Sequence, residues 1–221
     1  MKFAVIVFPG SNCDYDAYYV VKKILHLNVE FVWHKNSDLS DFDCIIIPGG
    51  FSYGDYLRAG AIARFSHIMQ SVKEEGAKGK PIIGICNGFQ ILVESQLLPG
   101  ALITNNSVKF ISKEVVLKAE NITSIFTNKL SLGQHLRMPI AHQQGNYFAT
   151  QTLLDKLQEN EQIAFRYQTN PNGSCQDIAG IFNKQKNILG MMPHPERASE
   201  LTLGSNDGLG IFESILSAVS L

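Results

Sequence analysis

The chain has 221 residues, 45% of them hydrophobic, and a formal net charge of −1. That is enough apolar material for one large core, so residues 1–221 are expected to form a single domain. The near-neutral charge supplies no basic surface for nucleic acid or an anionic membrane, and no apolar run is long enough to span a bilayer. The four cysteines, Cys13, Cys44, Cys86 and Cys175, are scattered without a C-x-x-C pair. Neither a zinc site nor a disulfide framework is indicated, which fits a reducing cytoplasm.

Residues 3 to 8 read as a buried first strand rather than a signal peptide. Their apolar core is short, runs into Pro9-Gly10 and is followed by no small-residue cleavage site. From Asp14 to about His26 the residues Ala17, Val20, Val21, Ile24 and Leu25 recur at helical spacing, with Asn12 or Asp14 as the cap. Val29 to His34 is a second strand and Cys44 to Ile47 a third. Strands alternating with helices, and apolar enough to be buried on both faces, predict an α/β fold with an open, mostly parallel sheet flanked by helices. Ligands in such sheets bind beyond the carboxyl ends of the strands.

The loop after the third strand, Pro48 to Tyr56, has neither G-x-G-x-x-G spacing nor a following G-K-S/T, so it is not a nucleotide fingerprint. Its Gly49-Gly50 pair offers a backbone N–H that a substrate oxygen can approach closely, or simply a tight turn. Phe51, Tyr53 and Tyr56 in the same loop are either local packing or a partner-facing surface. Ala59 to about Lys78 is expected as a helix, through Ala61, Ile62, Phe65, Ile68, Met69 and Val72.

Pro81 to Gln90 follows, and the rest of the chain is organised around it. Cys86 lies between Gly84 and Gly88, after a short apolar run and before a helical stretch reaching Glu94. This is the sulfur counterpart of the G-x-S-x-G elbow, in which a strand turns sharply into a helix and lifts out a nucleophile. Flanking glycines are required because a strained nucleophile backbone leaves no room for neighbouring Cβ atoms, and a helix N-terminus favours thiolate. The alternative is an inert buried cysteine. If Cys86 is the nucleophile, the N–H of Asn87 and one from the Gly49-Gly50 loop form an oxyanion hole. Gln90, four residues on, shares the helix face of Cys86 and either contacts a substrate amide or lies on the surface.

From Val108 the rhythm changes. Val115 to Leu117, Ser124 to Phe126 and Met138 to His142 are short strand-like pieces of antiparallel character, which predicts a β-rich extension. A helix around Thr152 to Glu159 follows. Further strands are expected at Ile163 to Tyr167, Ile178 to Phe182 and Asn187 to Met191, and a helix from Leu209 to about Val219. Between them lies Met192-Pro193-His194-Pro195-Glu196. Residues before proline are pushed into extended backbone, so His194 and Glu196 should project together. An imidazole beside a carboxylate is a general base with its orienter, as a cysteine nucleophile requires.

Taken together, Gly84 to Gln90 and His194-Pro195-Glu196 resemble the class I (triad-type) glutamine amidotransferases, whose fold is flavodoxin-like. The likeness spans essentially the whole chain. Phe8 to Asp14, Pro48 to Phe65 (PGGFSYGDYLRAGAIARF), Met192 to Ala198 and Gly204 to Leu209 are most similar to one branch, the glutaminase subunits of phosphoribosylformylglycinamidine synthase. The resemblance implies Cys86 as nucleophile, His194 as base and Glu196 as its partner. It implies Gly50 and Asn87 at the oxyanion hole and Gln90 and His142 as glutamine contacts. The pattern departs at Gln144, where an acidic residue would be expected, so a charge-based role for that loop loses its basis.

The reaction implied is hydrolysis of glutamine to glutamate and ammonia. The ammonia would serve a separate ATP-dependent synthetase that converts formylglycinamide ribonucleotide to formylglycinamidine ribonucleotide in purine biosynthesis. No cofactor or metal is expected in this chain, with ATP and magnesium on the partner. The expected partners are that large synthetase subunit and a small third subunit, in the cytoplasm. A stand-alone cysteine hydrolase or deglycase-like protein on a similar sheet, or a non-enzymatic module that keeps the fold, are the alternatives.

Overall fold

In the computed structural model, which describes residues 1–219, the first half of the chain interleaves strands with helices, the second and third strands following one another directly. They are β1 (Lys2–Val7), α1 (Asp14–Tyr19), β2 (Asn28–Trp33), β3 (Cys44–Ile47), α2 (Ile68–Ala77), β4 (Ile82–Ile85) and α3 (Asn87–Glu94). The second half is richer in strands: β5 (Ala101–Ile103), β6 (Ile111–Ala119), β7 (His135–His142), β8 (Asn146–Phe148), α4 (Gln151–Glu159), β9 (Ile163–Tyr167), β10 (Ile178–Phe182), β11 (Ile188–Met191) and α5 (Leu209–Val219).

Among the described residues nine strands form one sheet in the order β2-β1-β3-β4-β11-β10-β9-β6-β7, and β5 pairs with β8 apart from it. Pairings from β2 across to β11 are parallel, and those from β11 to β7 antiparallel. This is the α/β sheet flanked by helices, with the β-rich extension joined edgewise to the parallel half. Residue choice follows position in the sheet. The central β3, β4 and β11 are buried at every residue, as strands covered on both faces must be. Edge strand β7 alternates, with Leu136, Met138 and Ile140 inward and His135 and Arg137 outward. Each fully buried Ile, Leu or Phe of this core contributes roughly 1.5–3 kcal/mol. No helix among the described residues is long and apolar enough to cross a membrane.

Three local expectations are corrected. The helix expected from Ala59 to Lys78 is a run of turns, a single 3-10 turn at Ala63–Phe65, and then α2. Gly60 sits in left-handed backbone (φ 79°), and Ser66 is extended, so the helical spacing of apolar residues is not a continuous helix. Ser124 to Phe126 is a turn, because the Ser124 hydroxyl accepts from the Phe126 N–H (3.2 Å) and competes with ladder bonding. The first helix begins after Cys13, whose side chain makes no cap, and passes into a π-helical turn at Val20–Ile24. The small β5–β8 sheet carries no strand signal long enough to have been expected.

Candidate active site

Three strand ends converge on one place. In the sheet β4 lies between β3 and β11, with Gly84 opposite both Ile47 and Gly190. All three strands run parallel, so their following loops emerge side by side. The loop after β3 carries Gly50, the turn after β4 carries Cys86, and the segment after β11 carries His194.

Cys86 has φ 51° and ψ −105°, outside the regions open to a residue with a side chain. Its backbone is pinned from both sides, by Cys86 N–H to Met191 O (2.8 Å) and Gln90 N–H to Cys86 O (3.1 Å). Such strain costs roughly 1–3 kcal/mol and persists only where the surroundings over-determine it. The flanking glycines allow the turn. A Cβ at Gly88 would lie 1.9 Å from the Ile47 carbonyl oxygen, and one at Gly84 would lie 2.7 Å from the Gly88 oxygen. Helix α3 therefore starts directly beneath the sulfur, and Asn87, its first residue, has no intrahelical acceptor for its N–H.

His194 and Glu196 come together, though not by the expected route. His194 is extended, but Pro195–Arg197 forms a 3-10 turn that swings the carboxylate back under the ring. His194 Nδ1 meets Glu196 Oε1 at 2.6 Å, and both residues are buried. The segment is anchored by His194 N–H to Pro139 O (2.9 Å). Burial works to lower the pKa of His194, but the Glu196 carboxylate and then the Cys86 sulfur outweigh it, raising the imidazole to about 10. No hydrogen bond is closed between ring and thiol: His194 Nε2 is buried without a partner among the described residues, and Cys86 Sγ lies 3.6 Å from the Ala141 oxygen. Catalytic hydrogen bonds of a substrate-free site are commonly loose in this way.

A second cysteine stands behind the pair. The sulfur of Cys13, His194 and Glu196 offer donor atoms within 4.8 Å of one another. Burial, then the Glu196 charge, push the Cys13 thiol up to about 12. Its sulfur accepts from Arg197 Nη2 (3.1 Å), and Arg197 Nε also binds Asp16 (2.9 Å). Cys13 is thus a buried clamp on the turn that carries Glu196, and Cys86 is the cysteine that lines the cavity.

That cavity, about 220 Å³, is lined by Gly50, Asp55, Cys86 and Gln90 on one side and by Ala141 to Gln144 on the other. Gln90 is buried rather than superficial. Its Oε1 accepts from Asn87 Nδ2 (2.9 Å) and its Nε2 donates to the Gln144 carbonyl (2.6 Å). Asn87 also accepts from Ser52 N–H (3.0 Å), tying the nucleophile turn to the loop after β3. His142 reaches the cavity with its ring held by Asn105 Oδ1 (3.1 Å) and packed on Gly145, and its Nε2 has no partner among the described residues. Burial, then the neighbouring His194, lower its pKa to about 4. The aromatic loop divides by residue. Tyr53 is local packing, bonded to His34 Nδ1 and Ser66 Oγ (2.9 Å each), while Phe51 and Tyr56 are exposed.

Gly50, Cys86, Asn87, Gln90, His142, His194 and Glu196, all expected from the sequence, converge here together with Asp55 and Cys13, which were not. Asp55 sits in the Pro48–Phe65 stretch and Cys13 in the Phe8–Asp14 stretch, each without a chemical partner of its own nearby in sequence. Residues 1–207 match the family described as the CobB/CobQ-like glutamine amidotransferase domain. The chain is 44% identical to a solved structure of PurLQS from Thermotoga maritima, over 99% of this chain and 98% of that one, with a TM-score of 0.92. The glutaminase domain of Trypanosoma brucei CTPS, solved with bound acivicin, shares the fold at 13% identity (98% and 94% covered, TM-score 0.62). A glutamine amidotransferase from Thermotoga maritima does so at 13% identity (100% and 92% covered, TM-score 0.56).

Proposed function

The chain belongs to the CobB/CobQ-like glutamine amidotransferase family, and from that premise we propose that it is the glutaminase of a phosphoribosylformylglycinamidine synthase. It hydrolyses glutamine to glutamate and ammonia. The ammonia passes to a separate synthetase subunit, which uses ATP and magnesium to convert formylglycinamide ribonucleotide to formylglycinamidine ribonucleotide in the cytoplasm. A small third subunit completes the complex. The 44% identity with the Thermotoga maritima PurLQS chain supports this branch of the family. The single observation that carries the chemistry is the strained Cys86 at a helix N-terminus, facing the cavity beside the buried His194–Glu196 pair.

The roles follow from charge. A protonated His194 and the N-terminus of α3 both stabilise negative charge on the Cys86 sulfur. The thiolate attacks the side-chain amide carbon of glutamine, and the backbone N–H groups of Asn87 and Gly50 take the oxyanion. His194 gives its proton to the departing nitrogen, which leaves as ammonia, and a thioester remains. The now neutral imidazole removes a proton from water, whose oxygen adds to the thioester carbon. Collapse releases glutamate and restores the thiolate–imidazolium pair. Glu196 stays ionised and holds the ring throughout. Gln90 and His142 shape the glutamine-facing walls.

The test separates making ammonia from using it. In the reconstituted complex, Cys86→Ala should abolish product formation with glutamine, and an ammonium salt at alkaline pH should restore it. An assembled mutant complex that cannot use ammonium would show that this chain takes part in the synthetase step itself, and would overturn the division of labour.

A further inference from the structure

Among the described residues lining the cavity, Asp55 is the sole carboxylate; its neighbours are amides, a glycine, an alanine, the thiol and a histidine. That histidine, His142, is neutral at physiological pH because burial lowers its pKa to about 4. Asp55 makes no ion pair among the described residues, and one side-chain hydrogen bond holds it, from Asn87 Nδ2 to Oδ1 (3.2 Å). The loop is wound to bring it inward. Tyr53, Gly54, Asp55 and Leu57 all have positive φ (54°, 66°, 52° and 72°), and aspartate tolerates this backbone better than most residues. The far end of the loop is fastened across the cavity by Ala59 N–H to Gln144 Oε1 (3.2 Å). Burial alone raises the Asp55 carboxyl, to about 6, against the Asn87 hydrogen bond. A carboxylate desolvated in this way lacks a cation, and free glutamine brings one.

We propose that Asp55 receives the α-ammonium of the substrate glutamine and so selects the free amino acid. This rests on the glutaminase reading. With the amide carbon at Cys86, two methylenes separate it from the α-carbon, and that end of the molecule must lie elsewhere in the same small cavity. Asp55 shares the Asn87 side chain with Gln90 (2.9 Å to Gln90 Oε1), which places it on the wall next to the nucleophile turn. The amide-rich remainder of the lining can satisfy a carboxylate or carbonyl, but holds no counter-charge for an ammonium.

The experiment compares glutamine with glutaramate, which has the same amide and carboxylate and lacks the α-amino group, on wild type and Asp55→Asn in the reconstituted complex. For wild type, glutamine should be preferred. Asp55→Asn should raise the KM for glutamine about 10–100-fold, the loss of one charge-assisted contact, with kcat nearly unchanged. Its kinetics with glutaramate should barely move. Equal losses with both substrates, or a loss confined to kcat, would overturn the assignment and leave Asp55 as a brace for Asn87. Wild type that hydrolyses neither compound would instead remove the glutaminase reading on which the assignment stands.

Discussion

Replacing Cys86 by alanine and by glycine separates the sulfur from the strain beneath it. Both substitutions remove the nucleophile, so both should end glutamine hydrolysis. They differ in stability, and the sign is unusual. At an ordinary buried position glycine is worse than alanine. It adds about 0.4–1 kcal/mol of unfolded-state entropy and forfeits about 0.8 kcal/mol for one buried methyl group. Cys86 is buried, so both penalties apply. Against them stands the backbone at φ 51° and ψ −105°, where a Cβ is opposed and glycine is not. Lying outside every well open to side-chain-bearing residues, it belongs near the upper end of the roughly 1–3 kcal/mol scale of such strain. The difference leaves Cys86→Gly about 1 kcal/mol more stable than Cys86→Ala, which for a chain of this length raises Tm by about 2–4 °C. Thermal and urea denaturation of the two variants side by side measures it. If the glycine variant melts below the alanine variant by the ordinary penalty, the elbow stores no strain and the reasoning fails.

Two further outcomes concern pH. The folded pKa of His194 is raised above its unfolded value of about 6.5, so its stabilisation is fully present below pH 6.5 and is lost as pH rises towards 10. Glu196→Gln removes the charge responsible, so the imidazole should titrate at lower pH by NMR and the alkaline loss of stability should shrink; glutamine hydrolysis should fall less than in His194→Ala. An unchanged titration would mean that Glu196 does not set the charge of the ring. His142 runs the other way: its folded pKa of about 4 lies below 6.5, so stability is present above pH 6.5 and lost as pH falls towards 4. The whole span is worth about 3 kcal/mol, of which about 2 kcal/mol is gone by pH 5. His142→Gln should remove that component from the difference in urea midpoint between pH 7 and pH 5, and an identical acid slope in the variant would contradict it.

Much of the site was readable because its parts are local. The spacing Gly84-x-Cys86-x-Gly88 demands a turn with no room for Cβ atoms, and the distances at Gly84 and Gly88 bear that out. The short apolar runs at β3, β10 and β11 could be placed to within a residue, since strands buried on both faces tolerate little else. Where local spacing was ambiguous it misled. Residues 59–67 have helical periodicity, yet the close approach of Gly60 to the Gln90 and Ile91 backbone turns the chain away. His194 and Glu196 meet through a 3-10 turn, because Pro195 begins a tight turn as readily as it extends the residue before it.

By itself, the sequence determined the strands of the central sheet, the elbow and the chemical character of each group: one thiol set to be lifted, one imidazole with a carboxylate two residues away. It could not determine that β11 lies against β4, over a hundred residues earlier in the chain. That adjacency, set by Ile188 to Met191 pairing in register with Ile82 to Ile85, delivers His194 to Cys86. Nor could it show that Asp55 turns into the cavity or that Cys13 is sealed behind His194. Pairing partners and pKa values depend on what each group is packed against and how much water it loses, and only the closed tertiary structure settles both.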